Sequence, residues 1–304
     1  MKKVVVLMGG MSSERMVSFE SGKCVLKALL SRGYNAMALD VQQPISGLVQ
    51  ALEQMKPDVV FNALHGRYGE DGCIQGLLNM MQIPYTHSDV LASAISMDKQ
   101  QTKLIASQLG IDVPNGRLVT LADIKQGNTL PKPYVLKPND EGSSVGVYII
   151  RTKEDEKSFL FERDIDKIWL MEEYIEGREM SVVVTDKGVA GIVEIIPNEG
   201  FYDYKHKYTQ GAATHVIPAQ LTEQQAEKLG QDSCAIHRIL GCRQVSRSDF
   251  RLDEKTNRCV FLELNANPGM TSLSLVPEVL QIVQGISYTD FVVQLVESAV
   301  NRQE

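Results

Sequence analysis

The sequence predicts an α/β protein: an open, largely parallel sheet at the N-terminus, followed by mixed strand and helix units. Three observations carry this. Val4 to Met8 is a short unbroken apolar run, the mark of a buried parallel strand, and it turns through Gly9 and Gly10 into a helical period from about Glu14 to Leu30. Asn35 to Leu39, Asp58 to Ala63 and Pro84-Tyr85 read as further strands, with a helix over Ile45 to Met55 between them. Far downstream, Cys259 to Asn265 alternates strictly, putting Val260, Leu262 and Leu264 on one strand face and Phe261, Glu263 and Asn265 on the other.

Composition bounds the function. A chain of 304 residues with 43% hydrophobic content has room for two or three domains with real cores. Thirty-one basic against 38 acidic residues give a net charge of -7, which argues against broad nucleic-acid or membrane-surface binding. The apolar run after Met1-Lys2-Lys3 is too short for a signal segment or a membrane span. The five cysteines are scattered, odd in number and without a C-x-x-C pair, so reduced thiols in a cytoplasmic protein are expected. There is no internal repeat.

Taken in order, the first loop, Gly9 to Ser13, is neither a dinucleotide fingerprint nor a P-loop, and Glu14 at a helix start is explained by the helix dipole alone. Ala63-Leu64-His65-Gly66 follows a strand, so His65 lies where ligands gather in an open α/β sheet, although a loop histidine is more often a surface residue. A helix spans Asp98 to Leu109 and is stopped by Gly110 and Pro114. Lys99 in its first turn opposes the dipole preference and points to an anionic partner. Pro133 to Pro138 is a strand with a single lysine, Lys137, which on an edge would snorkel into solvent. The loop Asn139 to Gly146, before a strand Val147 to Ile150, offers Ser143, Ser144 and close backbone approach to a phosphate, and suits a flexible hairpin equally. Trp169 to Ile175 is an apolar strand running into acids, with Glu179 beyond it; apolar walls with a few polar groups suit a nucleobase. Gly191 to Ile196 is strand-like, Phe201 to Tyr208 a polar aromatic loop, and Thr222 to Leu240 a helix opened by a Thr222/Gln225 capping pair and ended by Gly241. Tyr288 to Val300 is a packing helix with Phe291, Val292 and Leu295 at helical spacing.

Val245 to Arg251 is a strand joined to Cys259–Asn265 by Asp253 to Asn257, a hairpin turn by composition. A turn centred near Thr256 sets Asp249 opposite Glu263 and Arg247 opposite Asn265. Opposed carboxylates need a positive group between them, and two carboxylates with an amide oxygen are hard ligands of the kind Mg²⁺ prefers. The same spacing suits a solvated strand face on which Arg247 or Arg251 neutralises the acids. Beyond the strand, Pro268-Gly269 breaks regular structure and frees backbone amides for an anion.

The pattern Arg247-Ser-Asp249, Glu263-Leu-Asn265 and Asn267-Pro-Gly-Met-Thr-Ser-Leu-Ser274 resembles the C-terminal signature of the D-alanine--D-alanine ligases, an ATP-grasp family of peptidoglycan precursor synthesis. Gly9-Gly-Met-Ser-Ser-Glu14-Arg15, Leu64-His-Gly-x-x-Gly-Glu-Asp-Gly72, the strand lysine with its Ser143-Ser144 loop, and Phe201-Tyr-Asp-Tyr-x-x-Lys207-Tyr208 match the family in the right order over essentially the whole chain. The resemblance implies a three-domain ATP-grasp fold: residues 1–93 a substrate-side α/β domain, 94–178 a nucleotide lid, and 179–304 a catalytic domain. It also implies a cytoplasmic homodimer that joins two D-alanines through D-alanyl phosphate, using ATP and two Mg²⁺ (or Mn²⁺) ions held by Asp249, Glu263 and Asn265. By the same resemblance Glu14 anchors the amino group of the first D-alanine and His65 lies on the substrate side. Lys99, Lys137 and Lys207 contact ATP phosphates, Ser143 and Ser144 line the catalytic centre, and Tyr208 joins Ser143 and Glu14 in a hydrogen-bonded network. Glu172, with the backbone near Tyr174 and Ile175, meets adenine, and Glu179 the ribose. Arg247 and the Gly269 amide stabilise the oxyanion, and Ser274, with Leu275 beside it, holds the carboxylate of the second D-alanine. Tyr208, where depsipeptide-forming relatives carry Phe, favours an amine over D-lactate. Glu173 departs from the Lys of some relatives and is given no role. Another ATP-grasp acid–amine ligase, or a silent ATP-binding regulator, are the alternatives.

Overall fold

The computed structural model describes residues 2–142, 146–161, 167–198 and 211–301. Its first sheet is formed by β1 (Lys3–Gly9), β2 (Asn35–Val41) and β3 (Val59–Asn62), all parallel with β1 in the middle. That placement explains the unbroken apolar run. Val4 and Val6 face a core with Val25 and Leu29 of α1 (Arg15–Ser31), while Val5 and Leu7 face Leu48 and Leu52 of α2 (Ile45–Met55) and Ile74 and Leu78 of α3 (Cys73–Met80). Pro84-Tyr85 is not a strand: Tyr85 makes one parallel bridge to Val60, since Pro84 has no N–H to donate and the chain turns at His87, φ 71°.

The two helices α4 (Val90–Met97) and α5 (Lys99–Gln108) meet at Asp98, whose side chain accepts from the Gln101 N–H and caps α5. A second sheet, in the order β4 (Gly116–Val119), β7 (Trp169–Glu173), β5 (Tyr134–Pro138), β6 (Tyr148–Ile150), is antiparallel throughout. The helices α6 (Leu121–Lys125) and α7 (Lys153–Phe161) close its core, where Phe159 and Trp169 meet edge to face at 4.8 Å.

The third sheet is antiparallel and runs β10 (Ala213–Val216), β9 (Gly188–Pro197), β8 (Arg178–Thr185), β11 (Val245–Asp253), β12 (Arg258–Asn265). One face packs Met180, Val182, Phe250 and Phe261 against Leu229 and Ile236 of α8 (Glu223–Ile239), which opens with the expected Thr222/Gln225 capping box. The other face shares a core with the first sheet: Val183, Val193 and Ile195 join Val4 and Phe61 through α9 (Leu275–Gln284) and α10 (Tyr288–Val300). Among the described residues no single helix is long and apolar enough to cross a membrane.

The strict alternation expected for β12 does not hold. Asp249 pairs with Glu263 but Phe250 pairs with Phe261, so Leu262 is an extra residue in the ladder. This bulge turns Phe261 and Leu264 into the same core and leaves Leu262 and Glu263, neighbours in sequence, lining one slot.

Candidate active site

Strand register builds the centre of the site. On one face of the third sheet, Asp249 lies opposite Glu263 on one side and Ser181 on the other; Arg247 lies opposite Asn265, and Arg251 opposite Glu179. Asp249 is buried. Arg247 grips it with both arms, Nε to Oδ1 at 2.9 Å and Nη2 to Oδ2 at 2.8 Å, and the Ser181 hydroxyl donates to Oδ1. Glu263 has Lys99 Nζ at 3.6 Å, and Arg251 pairs with Glu179 at 3.0 Å. The neutralisation of Asp249 by Arg247 is thus present, and opposed carboxylates are nonetheless brought together as the hairpin register requires. Among the described residues no three His, Cys, Asp or Glu side chains converge as a preformed cage. Two carboxylates and the Asn265 amide oxygen, which also accepts from the Asn267 N–H at 3.0 Å, form an incomplete hard-oxygen set. Such a set fits a Mg²⁺ whose remaining ligands are water and phosphate.

Beside it lies a mostly apolar slot walled by Pro114, Val135, Val147, Tyr174, Ile175 and Leu262. At its base Glu172, 3% exposed, divides its carboxylate between two buried lysines: Oε2 to Lys137 at 2.9 Å, and Oε1 to Lys103. Burial works against the Glu172 charge, but the two ammonium groups outweigh it and hold its pKa below the usual carboxylate range. Burial is also the largest influence on Lys103 and lowers its pKa, whereas for Lys137 the charges of Glu172 and Glu263 prevail over burial and raise it. Lys137 therefore does not snorkel; it is buried at the core of an ion cluster. Glu173 accepts from the Asn115 N–H at 3.2 Å and lies 3.8 Å from Arg258.

On the other side opens a polar cleft lined by Glu14, His65, Arg247, Gly269, Ser274 and Leu275 among others. Glu14 is buried between two glycines: a Cβ at Gly66 or at Gly142 would stand 2.9 Å from Glu14 Oε2. His65 is buried rather than on the surface. Its Nδ1 lies 3.1 Å from Glu70 Oε1 and its Nε2 2.9 Å from Ser21 Oγ, which also accepts from the Met270 N–H at 3.3 Å. Burial disfavours the imidazolium, but the Glu70 hydrogen bond and the charges of Glu70 and Glu14 outweigh it, so the His65 pKa lies above the ordinary histidine value. Ser274 is the N-cap of α9, and its hydroxyl accepts from the Thr271 N–H at 2.9 Å instead of capping the helix. The first amides of α9 have no partner within the helix, and Pro277 in the first turn removes one donor from that count. With Leu275 and Val276 lining the cleft, this end suits a carboxylate.

The slot and the cleft meet at Lys99, Glu141, Glu179, Asp249 and Glu263. Lys99 is tied there by its Nζ, which donates to the Glu141 carbonyl, and by its N–H, which donates to the Asn139 carbonyl at 3.1 Å. Ser143, Ser144, Lys207 and Tyr208 lie outside the described residues. Sequence reasoning missed Lys103, Glu70 and Ser21. Lys103 stands four residues after Lys99 on one helix, so its spacing was a usable signal; Ser21, inside an amphipathic helix, gave none.

Comparison with known proteins agrees with this geometry. A family model described as D-ala D-ala ligase C-terminus matches residues 105–297, and one described as D-ala D-ala ligase N-terminus matches residues 42–88. A D-alanine--D-alanine ligase of Zymomonas mobilis is 47% identical over 305 residues, covering 98% of this chain and 94% of that protein. One of Paramagnetospirillum magneticum is 44% identical over 302 residues, covering 98% of each. The crystal structure of a D-alanine--D-alanine ligase from Bacillus anthracis complexed with ATP is similar at a TM-score of 0.81 and 30% identity, covering 99% of this chain and 97% of that one. With whole-chain identity at this level and both halves matched in order, the chain belongs to the D-alanine--D-alanine ligase family.

Proposed function

We propose that this protein is the enzyme that joins two D-alanine molecules to D-alanyl-D-alanine, consuming ATP, for peptidoglycan precursor synthesis. The observation that carries the reading is the junction at which a mostly apolar slot and a polar cleft share Lys99, Asp249 and Glu263. A γ-phosphate arriving from the slot meets an acceptor carboxylate in the cleft there, and nowhere else is a transfer required.

In the first step a carboxylate oxygen of D-alanine bonds to the γ-phosphorus and the bond to ADP breaks, giving D-alanyl phosphate. In the second, the amine of another D-alanine attacks the acyl carbon, loses a proton, and phosphate leaves. Both steps build negative charge, so positioning and charge neutralisation dominate. Glu14, wedged between Gly66 and Gly142, anchors the first amino group, and His65 faces the same cleft. Lys99 and Lys137 hold phosphates, Glu172 and the Tyr174–Ile175 backbone hold adenine, and Glu179 the ribose. Arg247 and the Gly269 amide stabilise the tetrahedral oxyanion. Ser274 and Leu275, at the N-terminus of α9, receive the second carboxylate. Asp249, Glu263 and Asn265 would hold Mg²⁺ or Mn²⁺, as two ions, which when bound supplies neutralisation of the phosphate charge. Ser143, Ser144, Lys207 and Tyr208 complete the set by family resemblance. The same reading includes domain boundaries at 93/94 and 178/179, a homodimer, and a cytoplasmic location.

ADP release by the purified protein with Mg²⁺-ATP and D-alanine, L-alanine, or D-alanine plus D-lactate tests it, with products identified by mass. The expected outcome is D-alanine-dependent turnover to the dipeptide. ATP binding without D-alanine turnover would move the protein to another acid–amine pair.

A further inference from the structure

We infer that Lys103 is a positioning residue of the nucleotide slot: it is a second partner of Glu172, which releases Lys137 to turn toward phosphate when a nucleotide enters. The inference rests on the assignment of that slot to ATP. Lys137 and Glu172 line the slot, but Lys103 does not. It reaches Glu172 from the second turn of α5 and borders a neighbouring groove, with Gln100, Ser107 and Asn115, that meets the slot at Pro114, Glu172 and Glu173. A nucleotide in the slot therefore meets Glu172 and Lys137, whereas Lys103, hydrogen-bonded to Glu172, acts on it chiefly through that carboxylate.

The charge count gives the reason for a second lysine. Glu172 and both lysines are buried, and each oxygen of the carboxylate has its own ammonium group. If Lys137 were the only partner, drawing it to phosphate would strand a buried carboxylate, the most costly way to break a buried ion pair. Glu172 would then hold Lys137 back or take up a proton, and a protonated acid no longer accepts a hydrogen bond from an exocyclic amine at every lone pair. With Lys103 fixed on Oε1, Oε2 can exchange its ammonium for adenine without losing the charge. Lys99 and Lys103, one helical turn apart on α5, divide the work: Lys99 faces Glu263 and the Glu141 carbonyl at the transfer point, and Lys103 faces Glu172.

The test compares wild type, Lys103→Met, Glu172→Gln and the double variant, reading KM for ATP, kcat at saturating ATP, KM for D-alanine, and the ratio of kcat/KM for ATP over ITP, which lacks the 6-amino group. Lys103→Met is expected to raise the ATP KM on the order of 10²-fold while changing kcat by no more than about threefold. It should leave the D-alanine KM unaltered and collapse the preference for ATP over ITP. In the Glu172→Gln background the same change should add little, because it acts through that carboxylate. The double variant removes both members of the Lys103–Glu172 pair and leaves buried Lys137 beside the charge of Glu263, so it keeps the comparison readable if Lys103→Met folds poorly. A Lys103→Met enzyme with unchanged ATP KM and ATP preference, or losses that simply add to those of Glu172→Gln, overturns the inference. Wild-type enzyme that ligates with ATP and ITP alike overturns instead the placement of adenine against Glu172, and the inference with it.

Discussion

Replacing Arg247 with methionine separates chemistry from nucleotide binding. The guanidinium makes two charge-assisted hydrogen bonds to Asp249, at 2.9 and 2.8 Å, with side-chain exposures of only 14% and 11%. Breaking a fully buried pair by removing one partner costs about 3–5 kcal/mol. Here the Ser181 hydroxyl still donates to the stranded carboxylate and the pair has some access to water, so a loss of about 2–3 kcal/mol is expected. For a chain of this size that corresponds to a drop in Tm of several degrees. Mg²⁺ with ATP should restore part of the loss, more than it stabilises wild type, because a cation at Asp249 replaces the missing positive charge and binds only the folded state. Turnover should not be restored. Loss of one oxyanion donor lowers kcat by about 10²- to 10³-fold, while the ATP KM stays close to the wild-type value. Steady-state kinetics over ATP and D-alanine, with thermal unfolding at several Mg²⁺ concentrations, reads both effects. Normal turnover would remove Arg247 from the chemistry. An ATP KM that rises in step with the fall in kcat/KM would assign it to uniform nucleotide binding instead.

Glu263→Gln keeps one oxygen but removes a charge opposite Asp249 and the partner of buried Lys99; the Mg²⁺ concentration for half-maximal activity should rise at least about tenfold, and an unchanged Mg²⁺ titration would remove Glu263 from the metal set. Gly142→Ala drives a methyl group to 2.9 Å from Glu14 Oε2, so Glu14 must shift; the D-alanine KM should rise by up to about 10²-fold with the ATP KM unaltered, whereas equal increases in both would place the damage in the phosphate loop. Gly66→Ala makes the same contact at φ +67° and should in addition lose about 1–2 kcal/mol of stability by thermal unfolding. The raised pKa of His65 means that its contribution to stability is complete below the ordinary value of 6.5 and disappears as pH rises through the folded-state value. The Tm difference between wild type and His65→Gln should therefore be larger at about pH 6 than at about pH 9, and a flat difference would show that the ring does not titrate in the Glu70–Ser21 network.

What was legible in the sequence, and what was not, follows from where each signal resides. The register that sets Asp249 against Glu263 could be read because a short polar turn, Asp253 to Asn257, fixes the pairing, and the structure adds an Asp253 carboxylate accepting from the Lys255 N–H at 2.9 Å. The bulge at Leu262 could not: an extra residue in a ladder leaves an apolar strand looking apolar, and only the partner strand reveals the offset. That bulge has a consequence for the site. A regular ladder would put Leu262 in the core and Phe261 beside Glu263; the bulge instead presents Leu262, an apolar wall of the slot, next to the carboxylate at the transfer point. Helix α9 was hidden because Pro277 interrupts its pattern, yet in the first turn a missing N–H removes no helical hydrogen bond. Lys103 offered only its spacing from Lys99, and its burial stayed hidden for a different reason. A lysine on a helix face reads as solvated until its neighbours are known, and Glu172 approaches it from a strand 69 residues away. Local chemistry therefore fixed the hairpin face and its carboxylates, while the burial that turns Lys103, Lys137 and Glu172 into one charge system exists only once three separate elements have packed.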